Sequence, residues 1–141
     1  MAIRPHSDFS ALIALALSMT SISLVHVLTE GWFNAPPPPQ ASSSPDVWQE
    51  YISTLEPIHM IAPLMAHWSG AFIGGLIMAL LSMEAKMKHA LIISGIVMVA
   101  GIMNAIQIPG QPLWFIALDL AGYLPMGWLG WKLALKIKPI R

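Results

Sequence analysis

The side chains able to do chemistry in this chain are His26, His59, His67, Asn104, Asp119 and Tyr123, with Gln107 close by in sequence. Imidazole and carboxylate exchange protons near neutral pH, and either can hold a metal ion or hydrogen-bond a ligand. His67 lies in "LMAHWSGAFIGG" and Asp119 in "LWFIALDLAGYL", both strongly apolar surroundings. An acid at the centre of an apolar helix in lipid costs on the order of 3 kcal/mol unless it is paired or hydrated. Asp119 therefore needs a partner, and His67, Asn104 and Tyr123, the last one helical turn along, are the candidates. A wet Asp119–His67 pair favours the ion pair, and a dry one the neutral pair.

These residues have to be positioned by very apolar elements. The chain has 141 residues, 56% of them hydrophobic and 10% charged, against roughly 25% charged in soluble domains. About 20 apolar residues make a helix long enough to cross a bilayer. Residues 9–28, 58–81, 90–108 and 113–133 qualify, which predicts an all-α, antiparallel four-helix transmembrane bundle in a single domain spanning 1–141. All seven Lys and Arg (Arg4, Lys86, Lys88, Lys132, Lys136, Lys138, Arg141) fall before the first span, between the second and third, or at the end of the fourth. Those three regions share one side of such a bundle, so the positive-inside rule predicts cytoplasmic N- and C-termini. Glu30, Asp46, Glu50 and Glu56 fall on the other side. The first span is too long for the apolar core of a secretory signal and has no A-x-A site after it, so it reads as retained.

The loop over 29–57 contains "APPPPQASSSP", a polyproline and turn segment with no core of its own. A short amphipathic helix follows over about 45–55, with Ser44 as N-cap, Pro45 at the first helical position and Asp46 near the positive end of the dipole. Val47, Trp48, Tyr51, Ile52 and Leu55 form its apolar face. It is expected outside the bundle, as an interfacial anchor or as a lid over the outer mouth.

Helices in lipid pack closely where small residues let backbones approach. Ala62, Ala66, Gly70 and Gly74 form such a ladder in the second span. Ser10, Ala14, Ser18 and Ser21 serve the first, Ser94 and Gly101 the third, Gly122 and Gly130 the fourth. Pro63 and Pro125 are each expected to remove a backbone hydrogen bond and bend a helix. At 1.5 Å per residue, His67 lies roughly 14 Å and Asp119 roughly 9 Å below the outer ends of their spans. His26, His59, Asn104 and Gln107 lie in the same outer half. That shared depth predicts a polar pocket built on His67 and Asp119 and lined by Asn104, His59, Tyr123 and His26.

Several chemistries lack residues. There is no cysteine, hence no disulfide or thiolate chemistry. No Ser-His-Asp arrangement, phosphate loop or HExxH motif is present, so no hydrolase or kinase is indicated and a non-enzymatic role is expected. His59 and His67 are two turns apart, not a chelating pair, and no metal, haem or other cofactor is expected. The methionines read as core filler, not copper ligands. Trp32, Trp48, Trp114, Trp128 and Trp131 sit near span ends as an interfacial belt, and Trp68 is expected to face lipid. No basic patch suggests nucleic acid.

The proline-rich loop followed by "YISTLEP", the "AHWSGAFIGG" run and "IPGQPLWFIALDLAGYLPMGWLGWKLA" resemble a group of small uncharacterised bacterial four-helix inner-membrane proteins, over most of the chain. The group's H-x-x-G-T-x-x-G and D-L-x-x-Y-x-P patterns map onto His67, Gly70, Gly74, Asp119, Tyr123 and Pro125, with Pro112 and Gly130 also shared. Ala71 departs from the group's usual threonine. The resemblance implies a bacterial inner-membrane setting and transfers no activity. The expected function is a membrane protein whose outer pocket binds a small ligand or proton or seats a partner subunit. Its partners would be the bilayer and a homo-oligomer or larger membrane complex. A small transporter, or a haem- or metal-binding redox subunit, is the alternative.

Overall fold

A computed structural model describes residues 7–82 and 86–137. Among them there is no strand. The elements are α1 (Ser7–Leu28), a 3-10 turn (Trp32–Asn34), α2 (Pro45–Thr54), a second 3-10 turn (Pro57–Met60), α3 (Ile61–Leu81), α4 (Met87–Gln107) and α5 (Leu113–Ile137). Four helices, α1, α3 (with the 3-10 turn before it), α4 and α5, are long and apolar enough to cross a membrane. Arg4, Lys138 and Arg141, used above for orientation, lie outside the described residues.

The sequence explains these boundaries. Pro45 opens α2 after Ser44, whose side chain makes no capping bond. Gly110, at φ +89°, makes the turn between α4 and α5. Pro63 falls in the first turn of α3, where helical N–H groups have no intrahelical partner, so the expected lost bond and bend do not apply there. α5 continues through Pro125.

α3 is the central element and packs along both α1 and α5, while α4 packs against α3 and α5. α1 meets α4 only sparsely. Small residues set these distances. A Cβ added at Gly74 would fall on Ser18 of α1, one at Gly75 on the backbone carbonyl of Gly127, and one at Gly130 on that of Phe72. Gly70 likewise faces Ile22. Ser21 and Ser69 hydrogen-bond across α1 and α3 at 2.9 Å.

Three buried clusters fill the interior. Ala14, Met78 and Ile93 join α1, α3 and α4. Ala71, Val97 and Tyr123 join α3, α4 and α5. Met60, Leu64 and Phe115 form the third, on which Ile52 and Leu55 pack and so dock the α2 segment onto the helices. The outward faces are apolar too: Leu12, Leu24, Ile92, Ile106, Leu113 and Leu124 are exposed, as expected where lipid replaces water as solvent.

Candidate functional site

The site begins with a helix-helix bond. His67, on the α3 face that carries Ala66 and Gly70, projects toward α5 and meets Asp119. Its Nδ1 lies 3.1 Å from Oδ1 and 3.0 Å from Oδ2 of the carboxylate. Tyr123, one turn further along α5, donates its hydroxyl to Oδ2 at 3.2 Å. Both carboxylate oxygens are thus engaged, and with Asp119 ionised it is Nδ1–H of His67 that donates to them. Asp119 and Tyr123 are buried, at 5% and 1% exposure. Trp68 donates its indole N–H to the main-chain carbonyl of Asp119 at 3.2 Å. Of the expected partners, His67 and Tyr123 reach Asp119.

Two expectations are corrected by this geometry. Asn104 makes no hydrogen bond to Asp119, because it stands on α4, across the cavity from the pair. Trp68 is half-buried and not turned wholly to lipid, because its N–H finds an acceptor on α5 and glycine at 122 vacates the space for the ring; a Cβ at Gly122 would fall on the indole. The sequence carried a signal for that contact: Trp68 follows His67 directly, and a tryptophan N–H within a span needs an acceptor.

Beside the pair is a cavity of about 590 Å³. It is lined by the C-terminal half of α1 (Met19, Ile22, His26, Val27), the first turns of α3, the C-terminal half of α4 and Phe115 and Tyr123 of α5. Every expected pocket residue except Asp119 lines it: His26, His59, His67, Asn104 and Tyr123. Asp119 stands one layer behind, holding His67. Gln107 is not in the lining, whereas Gln111, which the sequence did not single out, is. His67 stacks on Tyr123 with ring centroids 6.2 Å apart, and His26 approaches it edge-on at 5.9 Å. The Nε2 atom of His67 has no partner among the described residues, and it is on the ring edge opposite the carboxylate. Among those residues no group of three or more His, Cys, Asp or Glu stands close enough to share a metal ion.

The segment between α1 and α3 lies along one end of the cavity. Trp48, Tyr51 and Ile52 of α2 line it, as do Ala35, Pro36 and Pro38 of the proline run. Val47, on the predicted apolar face, is exposed instead. Three side-chain hydrogen bonds hold this segment. The Tyr51 hydroxyl donates to the Pro36 carbonyl at 3.0 Å. His59 Nδ1 accepts from the Glu56 N–H at 3.0 Å, which leaves its Nε2–H to donate to the Phe33 carbonyl at 3.2 Å. Phe33 is at φ +59°, left-handed backbone that a bulky residue rarely adopts without outside support. His59 supplies that support. His59→Phe is expected to remove both bonds and free the 30–44 segment, read as faster proteolysis and amide exchange there with little change in global unfolding.

Burial pushes the Tyr51 phenol above its ordinary value of 10.0. The unfolded chain ionises at the ordinary value and the folded chain later. The stability from this group is therefore complete below about pH 10 and lost as pH rises through the raised value. The 295 nm titration of the protein minus that of Tyr51→Phe should place this ionisation above the ordinary tyrosine range, with amide exchange in the 30–44 segment accelerating as it proceeds.

No known protein family, curated protein or solved structure matches the chain.

Proposed function

We propose that this is an integral membrane protein whose outer cavity binds a small ligand, with the Asp119–His67 pair as its polar floor. The observation that carries the reading is the pair itself. Asp119 fixes the orientation and tautomer of the imidazole, as outer carboxylates do for working histidines. The unpartnered Nε2 is then presented to a largely apolar cavity. As a neutral ring, His67 offers Nε2 as an acceptor; protonated, it offers a donor. A bond made only for packing would leave no such atom beside open space. A cavity of about 590 Å³ lies within the range of small-molecule sites, which are mostly apolar with a few convergent polar groups.

The surrounding architecture fits an antiparallel bundle in a bacterial inner membrane. Lys86, Lys88, Lys132 and Lys136 gather at the cytoplasmic side, and α2 with its proline run forms an external cover. Lys132 lies 3.9 Å over the ring of Trp128, a contact suited to an interfacial residue pair. Exposed apolar flanks would meet lipid or a second subunit.

The test is extraction. Protein purified from its native membranes is denatured in organic solvent and the extract analysed by mass spectrometry. A stoichiometric small molecule, lost or reduced in Asp119→Asn and His67→Ala, is the expected result. An empty extract from wild-type protein sinks the reading. An absorption spectrum of the same sample reads the haem alternative through a Soret band.

A further inference from the structure

The geometry points to the class of ligand: an oxygenated ring on an apolar tail, of the quinone or quinol type, that enters sideways from the bilayer and sets its oxygen on His67 Nε2. This inference rests on the reading that the cavity binds a small ligand.

The mouth of the cavity carries the first part. α1 and α4 are held together low in the bundle by Ala14, Met78 and Ile93. Higher up they diverge, with Ile22 and His26 on one wall and Val97 and Asn104 on the other. Met19 and Val27 both line the cavity and are 42% and 68% exposed. Residues that face the cavity and the outside at once mark its opening, and these belong to a helix apolar enough to span a membrane. One opening is therefore on the lipid-facing flank, where a solute dissolved in the bilayer would meet an open slot. Trp48 and Tyr51 of α2 and Pro36 of the proline run line the cavity above it, beside Glu30, Gly31 and Pro38, which are exposed.

The lining carries the second part. Trp48, Tyr51, Phe115 and Tyr123 contribute aromatic rings to the walls, with His67 already stacked on one of them. Flat rings line a space suited to a flat guest. No Lys or Arg lines the cavity, and the acidic Glu30 does, so an anionic headgroup would meet no fixed positive charge there, which disfavours fatty acids and anionic phospholipids.

Nε2 carries the third. A hydroxyl would donate to it when the ring is neutral, and it would donate to a carbonyl when the ring is protonated. The Asp119-backed imidazole can thus hold either oxygen form of a quinone-type ring, changing only its own proton count. No electron transfer is part of the proposal.

The experiment uses the full-length protein in phosphatidylcholine nanodiscs with three radiolabelled probes: a decyl-substituted 1,4-benzoquinone, its quinol, and decylbenzene, which lacks oxygen. Histidine labelled with nitrogen-15 reports on Nε2. Saturable binding of the quinone and quinol is expected, with a shifted Nε2 resonance, at least tenfold tighter than decylbenzene, and weakened at least tenfold in His67→Ala. Ala100 of α4 also lines the cavity and is exposed, so Ala100→Trp should plug the mouth without altering the Asp119–His67 pair and abolish binding of all probes even if His67→Ala does not fold. Equal affinity for decylbenzene with an unmoved Nε2 resonance overturns the ring-oxygen contact and leaves the ligand-binding reading standing. Unaltered quinone binding in Ala100→Trp overturns the lateral entry. If no probe binds while native extracts still contain a ligand, the quinone class alone falls; an empty extract removes both readings.

Discussion

Asp119→Ala is expected to destabilise the protein by on the order of 2 kcal/mol and to abolish the ligand binding proposed for the cavity. The carboxylate receives the Nδ1–H of His67 and the hydroxyl of Tyr123. Deleting it strands two donors, each costing roughly 1–3 kcal/mol if buried without a partner. Interhelical bonds in membranes average nearer 0.6 kcal/mol, because the unfolded helices also find partners, so the lower part of the combined range applies. The larger consequence is for His67. Without the carboxylate its ring can rotate and its proton can move to Nε2, so the atom facing the cavity no longer has a fixed chemical character. Asp119→Asn keeps an acceptor and the packing while removing the charge. It should retain most of the stability and lose most of the binding. A double-mutant cycle with His67→Ala, followed by unfolding in bicelles, should give a coupling energy above about 0.5 kcal/mol. Strict additivity of the two substitutions would mean that the pair is not coupled, and the functional reading would go with it.

Gly75→Ala is expected to be, with Gly130→Ala, among the most destabilising single methyl additions to the chain. At Gly75 the new Cβ would land on the carbonyl of Gly127, backbone against backbone, with no flexible side chain to give way. Gly130 is in the same position against Phe72 and Leu76 of α3. Relief requires α3 and α5 to separate. Overpacking of a core costs typically about 1–3 kcal/mol, occasionally more, and here the separation would also stretch the His67–Asp119 bond between the same two helices. Gly75→Ala should therefore lower thermal stability and ligand retention together. The control is Gly95→Ala on α4, where a Cβ meets nothing within 4 Å. Alanine is the better helix former by up to about 1 kcal/mol, so that variant should be neutral or stabilised. Equal effects at Gly75 and Gly95, read by thermal unfolding in detergent, would contradict the packing described here.

The spans and the need for a buried partner were legible in the sequence because both follow from transfer energetics. A run of apolar residues as long as 61–81 has little alternative to a membrane helix, and an acid such as Asp119 within one has to be neutralised. The lone histidine on the small-residue face of the next-but-one helix was the natural candidate, since the face with Gly70 and Gly74 must be the one that packs. Small residues named the contacting faces without naming the pairs. Gly75 and Gly127, which meet backbone against backbone between α3 and α5, were not singled out at all.

What the chain order alone determined, then, was the set of apolar helices, their boundaries to within a turn or two, and the demand that Asp119 find a donor. These are local or one-body quantities, readable one segment at a time. Which residues stand behind His67 and which stand before it was decided only in three dimensions. Asn104 lines the cavity but does not reach the carboxylate, Trp68 turns inward because Gly122 leaves room, and His59 braces Phe33 across 26 positions of chain. The cavity lies between α1 and α4, beyond the cluster of Ala14, Met78 and Ile93 that they share with α3. Such separations depend on how all the side chains between two helices fit at once, and helical periodicity gives a face, not the distance to the helix opposite.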